Sequence, residues 1–220
     1  MTDKLATLSL DEDVSIITLD DGKANVFSPS MIAAVNKCLD DVPTEKGALI
    51  ITGRTGMFSA GFDLKIISAG DMDATKEMSL NGFKLLSRIF SFPRPVLAAC
   101  SGHGIALGTF LLCCCDYRIG VKGEFLVGAN EMRTNMVIPV PILELIKFRV
   151  AQSHKYRAVL GAEMYSIENA IESVEVQAKY ILIYVHNHKH FSTLQLHGQL
   201  LSVSREFKYK NTEQESWSPE

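Results

Sequence analysis

The stretch MFSAGFDLKIISAGD, residues 57–71, lies just after the apolar run ALIITG, residues 48–53. Such a run predicts a buried strand, and the residues that follow it are small before the bulky Phe62. Glycine adopts backbone angles that other residues avoid and lets another group approach the main chain closely. The pattern therefore predicts a bend whose backbone N–H groups are open to a ligand. Its small residues are Gly56, Ser59, Ala60 and Gly61.

A second glycine-rich bend, GHGIALG at 102–108, follows a second buried run, PVLAAC at 95–100. Strand, bend, helix and strand in repetition predict an α/β fold with a parallel sheet and crossover helices. One interpretation of this bend is a dinucleotide site, but no acidic residue closes a strand about 20 residues later. The other uses both bends together, because two loops that each present a free N–H form an oxyanion hole.

The rest of the chain supports the α/β prediction. LATLSL (5–10) and VSIITL (14–19) alternate apolar and polar residues and predict a β-hairpin, and Ser28-Pro29-Ser30 predicts a helix start. Helices are also predicted over 73–91, at TFLLCCC (109–115) and over 141–151 and 153–163, with a strand at DYRIGV (116–121).

Composition excludes several classes of function. Of 220 residues, 47% are hydrophobic, and the net charge is −3, which does not favour nucleic-acid binding. No apolar window is long enough to span a membrane, and the acidic N-terminal region is unlike a signal peptide. The adjacent Cys113, Cys114 and Cys115 cannot chelate one metal as spaced pairs do, so we expect no metal site. Buried, reduced thiols indicate a cytoplasmic or organellar interior, of which the cytoplasm is the expected location.

Four segments resemble those of the crotonase, or enoyl-CoA hydratase/isomerase, family: FSAGFDLK (58–65), RPVLAACSGHGIALGTFLLCCCDYRIG (94–120), GANEM (128–132) and AEMYSIENAIES (162–173). The likeness covers residues 5–175 in consistent order. It implies a crotonase-like spiral of ββα units and an enzyme of fatty-acid metabolism acting on acyl-CoA thioesters. No separate cofactor is expected, since coenzyme A is part of the substrate.

The resemblance also implies site residues. The backbone N–H groups of Phe62 and Leu107 would stabilise the enolate oxygen of the thioester. First-loop residues around Lys65 would lie along coenzyme A, although a solvated loop lysine is an equal alternative for Lys65. The full set expected at the substrate is Lys23, Ala24, Ala60, Gly61, Phe62, Asp63, Leu64, Lys65, Leu107, Gly108 and Phe110.

Hydratases of this family use two glutamates, and only one is matched here. Phe110 stands at the first position and Glu131 at the second. A lone carboxylate in an apolar pocket suits a proton shuttle, so we expect double-bond isomerisation rather than hydration. The alternative role for Glu131 is capping, or pairing with Arg133. For His103 a structural hydrogen bond is favoured over a catalytic base.

Other candidate residues are weaker. Glu144 fits a helix surface or a subunit contact. The three histidines of HNHKH (186–190) have a spacing that metal binding prefers, but a solvated polar edge is favoured because no carboxylate or cysteine lies nearby.

The resemblance ends near residue 175. Family members continue with terminal helices that cover the acyl pocket and help to form trimers. Residues 176–220 lack that pattern, so we expect a core at 1–175 and an atypical or truncated, partly disordered C-terminal segment. A homotrimer or hexamer follows if that segment permits. Three functions stay open: an active isomerase or hydratase, a catalytically impaired acyl-CoA binder, and a dinucleotide-binding protein.

Overall fold

The computed structural model describes residues 4–173 and 183–185, which form two sheets with helices packed around them. The strands are β1 (Ala6–Asp11), β2 (Val14–Leu19), β3 (Ala48–Gly53), β4 (Gly56–Ser59), β5 (Val96–Cys100), β6 (Gly102–Ile105), β7 (Tyr117–Val121), β8 (Leu126–Gly128), β9 (Tyr165–Ser166) and β10 (Ile183–Val185). The helices are α1 (Pro29–Asp40), α2 (Leu64–Ser68), α3 (Met72–Phe90), α4 (Leu107–Cys114), α5 (Val140–Arg149), α6 (Lys155–Val159) and α7 (Ile167–Ser173), with a 3₁₀ turn at Glu131–Thr134.

The larger sheet has the strand order β1-β2-β3-β5-β7-β10 over the described residues. The predicted hairpin is confirmed, with β1 antiparallel to β2, and each later neighbour is parallel. Its central strands β3 and β5 are almost entirely buried and mostly apolar because both faces of the sheet are covered. The predicted helix start is confirmed as well, since the Ser28 hydroxyl accepts the N–H of Met31 at 3.2 Å.

The second sheet differs from the sequence prediction, which treated residues 57–71 and 102–108 as glycine-rich bends without strands. Within the described chain, its order is β4-β6-β8-β9, and β4, β6 and β8 are mutually parallel. The strands escaped prediction because they are short and rich in glycine, without the alternation that marks a half-buried strand. Glycine is needed for the pairing itself, because a Cβ atom at Gly102 would lie 1.9 Å from the carbonyl carbon of Gly56.

The main hydrophobic core lies between the two sheets and the inner faces of α1, α3, α4 and α5. Phe27 and Phe58 are fully buried there, as are Met31 and Met78. No helix in the described part of the chain is long and apolar enough to cross a membrane. The expectations for 176–220, including HNHKH, lie outside the described residues except at 183–185.

Candidate active site

Three predicted site residues follow the carboxyl ends of three adjacent parallel strands of the second sheet. Phe62 comes three residues after β4, Leu107 two after β6, and Glu131 three after β8. Parallel neighbours end at the same edge of a sheet, and ligands of open α/β sheets bind at that edge. The second sheet therefore brings these three positions, which are far apart in sequence, to one edge.

The two glycine bends touch each other at Gly61. This residue has φ +94°, and a Cβ atom on it would lie 3.2 Å from the backbone nitrogen of Leu107. Covalent geometry then limits the distance between the nitrogens of Phe62 and Leu107 to about 7 Å or less. Neither nitrogen donates a hydrogen bond to another residue of the described chain. Two unoccupied N–H donors thus lie on neighbouring loops.

Leu107 is the first residue of α4, so its N–H has no partner within the helix. The turn into α4 is made by Ala106, whose φ of 53° and ψ of −122° fall in a region that L-residues rarely adopt. The N–H of Ala106 donates to the carbonyl of Gly128 at 3.0 Å, which ties this turn to the end of β8. Backbone strain of this kind is found at functional sites where the surrounding structure holds it in place.

Glu131 is buried with one carboxylate oxygen unpartnered. The residue is 6% exposed, and its Oε2 has no hydrogen-bond partner among the described residues. Burial removes water from the carboxylate and raises its pKa above the ordinary value of 4.5, and a hydrogen bond from its own backbone N–H opposes this. The described chain gives Glu131 no ion pair with the exposed Arg133. A buried, unpaired carboxyl group is suited to exchanging a proton with a bound molecule.

Phe110 is fully buried in the hydrophobic core and lines an apolar cavity together with Thr109 and Ala129. No carboxylate lines this cavity in the described part of the chain. The position matched to the family's first glutamate is therefore an apolar wall.

The remaining predicted substrate residues divide by exposure. Lys23, Leu64 and Lys65 are exposed to solvent. Ala24 and Ala60 pair through an N–H to carbonyl bond of 2.9 Å, and the Asp63 side chain caps α2 by accepting the N–H of Lys65. Gly108 packs so tightly that a Cβ atom there would lie 2.5 Å from the carbonyl oxygen of Ser59.

The structural role expected for His103 is confirmed, since its Nδ1 accepts the N–H of Leu126 at 3.1 Å. Glu144 is an exposed helix residue paired with Lys147 at 2.6 Å. The described residues contain no cluster of three or more His, Cys, Asp or Glu side chains that could hold a metal ion.

Sequence reasoning missed Asn25, which is completely buried between the loop after β2 and the strand β4. Its side chain donates to the carbonyls of Leu19, Met57 and Phe58 at 2.9, 3.1 and 3.2 Å. Asn25 also has φ +51°, a conformation that asparagine tolerates better than most residues. The DDGKAN segment, with its glycine and asparagine, is the sequence signal that could have indicated such a turn.

Comparison with known proteins shows the family of this chain. The family model for enoyl-CoA hydratase/isomerase matches residues 10–175. The probable enoyl-CoA hydratase of Bacillus subtilis is 32% identical over 135 residues, 60% of this chain and 52% of that protein. Enoyl-CoA delta isomerase 3 of Arabidopsis thaliana is 28% identical over 162 residues, 71% of this chain and 68% of that protein.

A solved structure is similar over most of the chain. The enoyl-CoA hydratase/isomerase family protein of Pseudomonas syringae has a TM-score of 0.79 and 35% identity, covering 93% of this chain and 84% of the other. The parallel sheets and paired bends define a crotonase-fold protein. The chain belongs to the enoyl-CoA hydratase/isomerase family. It spans about half the length of the first two curated relatives, 52% and 55%.

Proposed function

We propose that this protein isomerises the double bond of enoyl-CoA thioesters. The proposal rests on a contrast between two buried residues. Glu131 is a buried carboxylate with one oxygen unpartnered among the described residues, whereas Phe110, which the family resemblance matches to the first glutamate of a hydratase, is a buried apolar ring. Hydration needs a group that activates water, and isomerisation needs only proton transfer. The similarity to a protein named enoyl-CoA delta isomerase supports this choice.

The reaction uses one base and one oxyanion site. The carboxylate of Glu131 removes a proton from carbon 2 of a 3-enoyl thioester, and the electron pair left behind delocalises over carbons 2 to 4 and the thioester oxygen. The N–H groups of Phe62 and Leu107 donate to that oxygen as its negative charge develops. Glu131 then returns the proton at carbon 4, which leaves the double bond between carbons 2 and 3. The substrate and product have the same atoms, so no water or cofactor is consumed.

Coenzyme A itself would lie along the rim formed by Lys23, Ala24 and residues 63–65. We further propose that the protein assembles as a homotrimer or hexamer and that it acts in fatty-acid metabolism. The family match favours this function over the dinucleotide-binding alternative. A catalytically impaired acyl-CoA binder remains the second candidate, because Phe110 stands at the position matched to the family's first glutamate.

The experiment incubates the purified protein separately with 3-enoyl-CoA and 2-enoyl-CoA, with calorimetric titrations of acetyl-CoA and NAD beside it. We expect 3-enoyl-CoA to be isomerised faster than 2-enoyl-CoA is hydrated. In the titrations, we expect acetyl-CoA to give a heat of binding and NAD to give none. Binding of acetyl-CoA without turnover of either substrate would favour the impaired binder. Faster hydration than isomerisation would contradict the proposal.

A further inference from the structure

We propose that Ser59 and Asn25 are positioning residues that orient the Gly61–Phe62 peptide and so aim the N–H of Phe62 at the thioester oxygen. This inference rests on the proposed function. Both side chains are completely buried, and the hydrogen bonds that they make within the described chain go to backbone groups. Their effect would pass entirely through the backbone.

The Ser59 hydroxyl joins two backbone segments. It donates to the carbonyl of Asn25 at 2.7 Å and accepts the N–H of Gly61 at 3.1 Å. Because one hydroxyl makes both bonds, the bend cannot turn at Gly61 without losing a buried hydrogen bond. Gly108 packs directly against this residue, since a Cβ atom at position 108 would lie 3.0 Å from the Cβ of Ser59.

The far side of the Gly61–Phe62 peptide is fixed as well. The N–H of Phe27 donates to the carbonyl of Gly61 at 2.7 Å. In a planar trans peptide, the carbonyl and the next N–H point in opposite directions. Holding the Gly61 carbonyl toward Phe27 therefore directs the Phe62 N–H away from it. The unbonded N–H of Leu107 lies on the bend that touches Gly61.

The loop that carries Asn25 and Phe27 is itself anchored. One oxygen of the Asp21 carboxylate accepts the N–H groups of Lys23 and Asn25, at 2.7 and 2.9 Å, and the other accepts the N–H of Val26 at 3.1 Å. Asn25 returns a bond through its Oδ1, which accepts the N–H of Asp21 at 2.9 Å. The loop after β2 thus acts as a rigid support for the first bend.

The test compares Ser59→Ala with Ser15→Ala. Ser15 is also a buried serine with one side-chain partner, the Arg94 guanidinium at 3.2 Å, but it lies in β2 away from the site. The probe is acetyl-CoA labelled with ¹³C at the thioester carbonyl, whose stretching frequency falls when N–H groups donate to its oxygen. Difference infrared spectra of the bound probe, kcat for 3-enoyl-CoA and the Kd of the probe are measured for each protein.

We expect Ser59→Ala to lose much of the carbonyl frequency shift and to lower kcat roughly tenfold, less than the 10²–10³ for losing a donor outright. Its Kd should change less than about twofold, because most contacts with coenzyme A remain. Ser15→Ala should keep both the shift and kcat. Equal shifts and rates in the two variants would overturn the positioning role. Absence of both shift and turnover in the wild type would instead overturn the proposed function.

A second pair of variants tests the same inference in case the Ser59→Ala protein does not fold. Asp21→Asn loses one acceptor of the loop, whereas Asp20→Asn removes the same charge from a carboxylate that accepts the N–H of Gly22 and pairs with Arg54. A severalfold lower kcat with a smaller carbonyl shift in Asp21→Asn alone supports the inference. Identical behaviour of the two variants overturns it.

Discussion

Gly61 lies so close to Ala106 that a Cβ atom at position 61 would be 2.8 Å from the Cβ of Ala106. Real Cβ atoms do not approach one another this closely, so position 61 must be glycine for the two bends to meet. The contact joins the loop after β4 to the turn that begins α4. The proposed oxyanion site depends on this contact.

Gly61→Ala should therefore abolish most activity by forcing the two bends apart. A displaced oxyanion donor costs up to about 2.7–4 kcal/mol of transition-state stabilisation, or 10²–10³ in kcat. Gly70→Ala is the matched control, since Gly70 also has a positive φ of 78° but has nothing within 4 Å of a new Cβ. Steady-state kinetics on 3-enoyl-CoA compares the two. Similar kcat values would show that the close approach at Gly61 does not matter for catalysis.

Glu131→Gln should make the protein more stable near neutral pH. Because the pKa of Glu131 is raised, the folded protein binds more protons than the unfolded chain between 4.5 and the raised pKa. The free energy of unfolding consequently falls as pH rises through that window, and the loss is complete above it. Glutamine carries no charge, so the Glu131→Gln protein does not lose this free energy of unfolding as pH rises. Below the ordinary pKa of glutamate the wild type has not lost it either, so the two proteins should be equally stable there.

Urea unfolding of both proteins over this pH range measures the effect, with Glu144→Gln as the control. Glu144 has an exposed carboxylate in an ion pair, so its removal should change stability little at any pH. A Glu131→Gln variant less stable than wild type at neutral pH would contradict the assigned burial penalty.

Phe110→Ala should destabilise the fold by about 3–5 kcal/mol, because it removes a buried ring beside an existing apolar cavity. Phe148→Ala, at a ring that is half exposed, should cost much less. Chemical denaturation gives both values. A small loss in Phe110→Ala would mean that the ring contributes little to the core. Hydration of 2-enoyl-CoA should not increase in either variant.

Lys65→Ala should weaken binding of coenzyme A thioesters without changing kcat, because its contact would be equally strong in the ground and transition states. Loss of a solvent-exposed charged contact corresponds to at most about 1 kcal/mol, or about fivefold in Kd. Lys84→Ala on α3 is the charge-matched control. Equal Kd values for all three proteins would support the solvated loop lysine instead.

The larger sheet and most helices could be predicted from the sequence. The apolar run ALIITG indicates a strand buried on both faces, and the alternating pattern of the hairpin indicates strands buried on one face. The second sheet could not be predicted from residue patterns alone, since GHGI at 102–105 shows no alternation. Its strands exist because glycine lets β4 and β6 pair at short range, which is a tertiary effect. The family resemblance supplied the site positions, and the sheet explains why they meet.

Asn25 shows the limit of reasoning from motifs. Its neighbours Lys23 and Ala24 were predicted as contacts for coenzyme A, but the buried asparagine makes its bonds to carbonyls more than 30 residues away in sequence. Such partners are visible only once the fold has brought the strand and the loop together. The unpartnered oxygen of Glu131 is likewise a property of its surroundings.

The central claim is that Glu131 moves the proton while backbone N–H groups hold the developing enolate. The most direct test is the rate of 3-enoyl-CoA isomerisation by Glu131→Gln and wild type under identical conditions, with acyl-CoA binding measured in parallel. We predict a rate lower by roughly 10²–10⁴ with acyl-CoA still bound, since glutamine keeps the size of the side chain but cannot act as the base. Equal rates in the two proteins would contradict the account.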